Sequence, residues 1–127
     1  SLQEMNMRGK FKTGVDGRYL VKTTRPVAYQ IPFDGPVGEM IKATNRHPWR
    51  PAHVHFVVSA PGYQTVTTHV FDSTDKYLDE DAVFGVKNSL IAEFKLHAAQ
   101  DDDARKYGAE PPFCTCGFDF VLAPAAQ

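Results

Sequence analysis

The chain has 127 residues, 14 Lys plus Arg against 15 Asp plus Glu, and two cysteines, a length that suits one domain, residues 1–127, with its own core. Its near-neutral charge offers no basic face to nucleic acid or anionic lipid, and no run approaches the roughly 18 consecutive apolar residues of a membrane span. The start, Ser1-Leu2-Gln3-Glu4, lacks the basic and apolar regions of a secretory signal, so a cytoplasmic protein is expected.

Short runs rich in Val, Thr, Phe and Tyr, separated by turn residues, predict an all-β fold, a sandwich or barrel with little helix. Residues 9–13 and 18–24 flank Gly14-Val15-Asp16-Gly17, and Asp-Gly between alternating segments predicts a hairpin. Residues 26–36, with Pro26, Pro32, Gly35 and Pro36, predict an extended loop of the kind that presents side chains to a site. Residues 51–60 read as a strand, Pro61-Gly62-Tyr63-Gln64 as its turn and 65–71 as the return strand, together the centre of the sheet. The acidic stretch 72–81 predicts a surface excursion, and 87–97 a strand in preference to a short helix. Asp101-Asp102-Asp103 reads as a solvated loop or first helical turn. Cys114 and Cys116, two apart, are poorly placed to bridge each other and read as free, buried thiols. Residues 118–122 alternate and predict the closing strand.

The sharpest chemical feature is Arg50-Pro51-Ala52-His53-Val54-His55-Phe56. Residues two apart on a strand point the same way, so His53 and His55 project from one face at a spacing that suits two ligands of one metal. Two hydrogen-bonded histidines facing a polar pocket would share this pattern. Tyr29, upstream in the Pro-rich loop, adds a phenolate once a metal displaces its proton, and a hard anionic oxygen beside two imidazoles suits ferric iron better than zinc. Arg50, just ahead of the strand, would place a fixed positive charge in the same pocket.

Further passages extend this pattern over residues 8–124: Arg8-Gly9-Lys10-Phe11, Asp16-Gly17-Arg18-Tyr19, Arg25-Pro26-Val27-Ala28-Tyr29-Gln30-Ile31-Pro32, Asp34-Gly35-Pro36-Val37-Gly38, Arg46-His47-Pro48-Trp49-Arg50, Ala60-Pro61-Gly62-Tyr63 and Asp81-Ala82-Val83-Phe84-Gly85-Val86-Lys87. Together they resemble the intradiol ring-cleavage dioxygenases, most closely the branch that acts on hydroxyquinol. The resemblance implies a transthyretin-like β-sandwich that holds non-haem Fe(3+) through two tyrosines and two histidines. Such an enzyme uses O2 to open an aromatic diol or triol between its hydroxyl-bearing carbons, giving a muconate- or maleylacetate-type product.

Carried over by position, Tyr29, His53 and His55 match metal ligands, and Arg50 matches the arginine that polarises the bound ring. Ile31, Pro32 and Val83 fall where this branch lines its substrate pocket. His69 stands at a position beside the ligands where the catechol-cleaving branch usually has glutamine, which points toward hydroxyquinol. The family's first tyrosine ligand and the helical region that makes its dimer lie upstream of the Arg8-Gly9 passage, and none of Tyr19, Tyr63, Tyr77 or Tyr107 matches that ligand. The expectation is therefore the C-terminal catalytic part of a longer enzyme, homo-oligomeric at full length. A different class of function, a transthyretin-like binding or structural module without turnover, stands beside it because the ligand set is incomplete. A cupin-like metal enzyme fits less well, since further His or Glu ligands near the first pair are lacking.

Overall fold

The computed structural model describes residues 6–126, so the Ser1-Leu2-Gln3-Glu4 start lies outside it. The chain runs β1 (Tyr29–Gln30), α1 (Gly35–Ala43), β2 (Trp49–Arg50), β3 (His53–Val58), β4 (Val66–Asp72), β5 (Ile91–Ala92), β6 (Lys95–His97), α2 (Asp102–Tyr107) and β7 (Phe113–Thr115). Strands outnumber helices and the connecting segments are long. The strands form an antiparallel β1–β2 pair, a β3–β4–β5 sheet and an antiparallel β6–β7 pair. Among the described residues no helix is long and apolar enough to cross a membrane.

The central hairpin forms as its alternation predicts. Val54, Phe56 and Val58 alternate with His53, His55 and Val57, so β3 sends each set to its own face. β4 pairs with it in the register His53↔Phe71, His55↔His69 and Val57↔Thr67, which places all three histidines and Phe71 on one side. Phe71 is fully buried, and Val70 on the opposite face is 2% exposed, so the core surrounds the C-terminal end of β4. There β5 adds in parallel, Phe71 beside Ile91. On the face without histidines, Phe56 packs on Phe120, which also meets Phe118 and Tyr19.

Several expectations are corrected. The first hairpin makes only its turn: the Gly14 N–H donates to the Arg18 carbonyl and the Gly17 N–H to that of Gly14, but no strand forms on either side. Those flanks are almost wholly exposed, and an isolated two-stranded ladder without a buried face has little to hold it. Tyr19 instead donates its hydroxyl to the Phe118 carbonyl at 2.6 Å. Residues 118–122 are likewise not a strand; the chain pairs farther on, through a Tyr63–Pro124 bridge at the hairpin turn. The segment 26–36 is not wholly loop, because it contains β1 and the start of α1. Proline is tolerated in a first helical turn, and Ile41 and Gly38 supply the buried positions of α1. The helix stops where the Thr44 hydroxyl donates to the Met40 and Ile41 carbonyls and Asn45 takes a positive φ of 53°.

The 72–81 excursion is exposed only in its middle; Asp72 and Asp81 at its ends are 3% and 4% exposed. The expected strand over 87–97 is divided into a 3-10 turn, Asn88–Leu90, and the separate short strands β5 and β6. Both cysteines are free, but Cys114 is half-buried and Cys116 exposed, since β7 ends at Thr115 and leaves Cys116 beyond the pairing. The three aspartates do open a helix. Asp101 caps α2 by accepting from the Ala104 N–H at 2.8 Å, while Asp102 and Asp103 fill the first turn and Gly108 closes it at φ 56°.

Candidate metal centre

His53 is fixed by its own strand entry. Its Nδ1 lies 2.7 Å from the Pro51 carbonyl, which can only accept, so Nδ1 carries the proton and Nε2 presents a lone pair. That Nε2 is 3.1 Å from His55 Nε2. Two nitrogens bound to one ion at about 2.0–2.1 Å, with an angle near 90°, lie about 3 Å apart. His69, opposite His55 in the ladder, brings a ring nitrogen into the same cluster, with the three donor atoms all within 4.8 Å of one another. Its ring centroid is 4.2 Å from that of His55 and 5.0 Å from that of His53.

The electrostatics keep two of these rings, His53 and His69, ready to ligate. Burial holds His53 below the ordinary histidine value against the Pro51 carbonyl, which works the other way, and the charges of Arg50 and His55 reinforce it. Burial also lowers His69, followed by the influence of His55, His53 and Arg50. A neutral imidazole is the form that binds metal.

Tyr29 arrives from β1. Its pairing partner in β2 is Arg50, which donates through Nη1 to the Tyr29 hydroxyl at 3.4 Å, and its ring centroid is 5.6 Å from that of His53. Arg50 is 6% exposed, so it is no surface arginine. Its Nε donates to Asp81 Oδ1 at 3.1 Å. Burial opposes the Asp81 charge, but the Arg50 guanidinium and the Gly85 and Val83 N–H groups more than offset it and hold the carboxyl below the usual aspartate value. Gly85 permits this packing, for a Cβ there would sit 3.1 Å from Arg50 Nη2 and 3.1 Å from Asp81 Oδ2. The donor chemistry therefore fits a ferric ion: neutral imidazoles, a phenol oxygen, and one charged arginine held beside that oxygen.

The dioxygenase family model matches residues 1–124. This chain belongs to the intradiol ring-cleavage dioxygenase family. It is 52% identical, over 92% of its length, to the 6-chlorohydroxyquinol 1,2-dioxygenase of Cupriavidus pinatubonensis, and 50% identical, over 94%, to the hydroxyquinol 1,2-dioxygenase of Rhizobium sp.. It spans 38% and 41% of those two relatives. The solved hydroxyquinol 1,2-dioxygenase of Pseudomonas putida DLL-E4 superposes with a TM-score of 0.74 at 51% identity, over 80% of this chain and 36% of that one. The chain thus shares about half of its residues with hydroxyquinol enzymes, and its strand-rich, helix-poor architecture agrees with that of the solved one.

The structure thus brings together His53, His55, His69, Tyr29 and Arg50. Val83 is linked to them through Asp81, its N–H donating to Asp81 Oδ1 at 3.2 Å, and is 46% exposed. Ile31 follows β1 and donates to the Pro48 carbonyl, and Pro32 is exposed beside it. The histidine face is open to solvent at His55. Two surface hollows of about 340 and about 490 Å³ lie elsewhere, the first beside Arg46 and Phe84, the second beside Arg25 and Thr74. Asp81, which steadies Arg50, is absent from the sequence-based candidates. Nothing in an acidic loop distinguishes the one carboxylate that turns inward.

Proposed function

We propose that this chain carries the histidine-bearing part of a non-haem Fe(3+) site, on a transthyretin-like β-sandwich, in a longer enzyme that opens hydroxyquinol or a related catechol with O2 to a maleylacetate- or muconate-type product. The observation that carries the reading is the His53–His55 pair, one nitrogen of His53 anchored on the Pro51 carbonyl and the two Nε2 atoms 3.1 Å apart, with Tyr29 against the same ring. His53, His55 and Tyr29 would hold the ion. When bound, the iron supplies Lewis acidity and the redox coupling between ring and O2.

The other roles follow from the chain's own residues. The Tyr29 hydroxyl oxygen, a phenolate once it ligates the ion, would take a proton from an incoming ring hydroxyl and become neutral again. Arg50 offsets negative charge on that oxygen or on the ring, and Asp81 holds the guanidinium in position. Ile31, Pro32 and Val83 would border the ring. Hydroxyquinol is favoured by His69 and by the two relatives above, which act on 6-chlorohydroxyquinol and on hydroxyquinol.

The test is ferric loading of the chain followed by visible spectroscopy and metal analysis. A tyrosinate-to-iron charge-transfer band is expected in the loaded chain and should vanish in Tyr29→Phe, while His53→Ala should lower iron content by at least about tenfold. A colourless loaded chain, or unchanged iron in His53→Ala, would overturn the reading. Oxygen uptake with hydroxyquinol and with catechol by the longer enzyme, corrected for autoxidation, then separates the two substrates, and the isolated chain is expected to be inactive or strongly impaired.

A further inference from the structure

We propose that His47, which lies outside the metal centre, is a positioning residue for Tyr29: its imidazole bridges the Trp49 N–H and the Glu80 carboxylate, and so sets the strand against which Tyr29 lies. The inference rests on the preceding reading for the role of Tyr29, and names a group on which that role depends without touching it.

Tyr29 has little of its own to hold it. It is 43% exposed, its hydroxyl is met by Arg50 Nη1 at a long 3.4 Å, and its strand pairs with β2 over two residues, too few for a ladder to be stable alone. A group that serves a site must nevertheless be held to within about 0.5 Å. Its placement therefore comes from whatever fixes β2. Ile31 donates to the Pro48 carbonyl, and bonded and non-bonded pairs alternate along an antiparallel ladder. Gln30 and Trp49, the next pair, are thus the non-bonded one, and both polar backbone groups of Trp49 point away from β1.

Both groups find partners there. The Trp49 carbonyl accepts from the Ala82 N–H at 3.1 Å, and the Trp49 N–H donates to His47 Nδ1 at 3.1 Å. A backbone N–H can only donate, so Nδ1 is bare and the ring proton is on Nε2, 3.2 Å from Glu80 Oε2. The Glu80 carboxylate thus selects the tautomer that Trp49 needs. Tyr77 completes the grip: the Trp49 ring stacks on it at 5.3 Å with 5° between the planes, and the His47 ring lies 5.1 Å from it. Tyr77, Glu80 and Ala82 belong to one segment, 77–82, which also supplies the Asp81 that holds Arg50. That segment secures β2 by its backbone and its rings, and β2 carries Tyr29 into the site.

The experiment follows the Tyr29 ring signals by nuclear magnetic resonance in the metal-free chain, then the tyrosinate-to-iron band after ferric loading. His47→Leu removes the acceptor and should move the Tyr29 signals. After loading, its iron affinity should fall by about tenfold, the lower end for groups that orient metal ligands. His47→Asn, whose side-chain oxygen can stand in for Nδ1, should restore both toward wild type. A merely structural role would lower stability in both variants and leave the Tyr29 signals where they were. Tyr29 signals unchanged in His47→Leu, or displaced equally in His47→Asn, would overturn the inference. If His47→Leu does not fold, Glu80→Ala carries the test. It frees Nε2 by a change at an exposed side chain and should move the same signals in the same direction; their constancy would overturn the inference. A loaded wild type without the band, in which His47→Leu still displaces Tyr29, would remove the preceding reading and leave this one.

Discussion

Arg50 and Asp81 are nearly excluded from solvent, with side chains 8% and 2% exposed, so each depends on the other to be tolerated there. Removing one partner of a buried pair leaves a charge without compensation and costs about 3–5 kcal/mol. Asp81→Ala also strips the acceptor from the Val83 and Gly85 N–H groups. The expected outcome is a loss of that size in urea unfolding; a loss below about 1 kcal/mol would show that Arg50 finds water or another acceptor. The contrast between this pair and the histidines shows what a sequence displays at this scale. His53 and His55 are legible because strand geometry converts a two-residue spacing directly into a shared face. Tyr29 is legible only as a donor type in the Pro-rich loop upstream, because a two-residue ladder too short to predict is what places it. Asp81 reaches Arg50 across 31 residues, a contact that no local pattern encodes.

At the scale of elements, β3 and β4 were readable because alternation, a Pro-Gly turn and β-branched residues all agree. α1 was not, because Asp34-Gly35-Pro36 also reads as a turn, and the helical signal behind it is only about two turns long. One residue of that helix has an inverted preference. In most exposed helix interiors Gly→Ala stabilises by about 0.5–1 kcal/mol. At Gly38, however, a Cβ would fall 2.0 Å from the Phe33 carbonyl oxygen, backbone that cannot swing aside as a side chain would. Gly38→Ala should therefore lower the melting temperature, despite alanine's better helix propensity. A raised melting temperature would show that the 33–38 turn relaxes freely. The same reasoning explains the first Asp-Gly turn: its local chemistry was right, but nothing covers its flanks, so the turn forms and the ladder does not.

For the whole molecule, Arg25 joins distant parts of the chain. Its Nη2 donates to Asp72 Oδ2 at 2.6 Å and to Thr74 Oγ1 at 3.0 Å, while Nη1 lies 3.7 Å from Cys114 Sγ. It thereby ties the irregular N-terminal segment to the end of β4 and to β7. Burial opposes ionisation of Asp72, but the Thr74 N–H, the Arg25 guanidinium and the Thr74 hydroxyl outweigh it and depress the carboxyl pKa. A depressed folded pKa adds stability that is fully present above the unfolded value, about 3.9, and is lost as pH falls through the folded one. Asp72→Asn should therefore lower the urea midpoint near neutrality, and the gap from wild type should close as the pH falls through the depressed folded value. A gap that persists undiminished in acid would mean that the aspartate acts through shape and not charge.

The nitrogens of the candidate metal centre come from one hairpin, residues 53–69, and this gives the site a kinetic character of its own. Contacts of short sequence separation form early, hairpins in about 1–10 μs, before distant segments have been brought together. An ion that grips these imidazoles fastens a local element and leaves the long-range ties of Arg25 and Asp81 to form afterwards. Metal present during refolding would then act chiefly on the folding rate, while an ion added later would find the same donors already assembled.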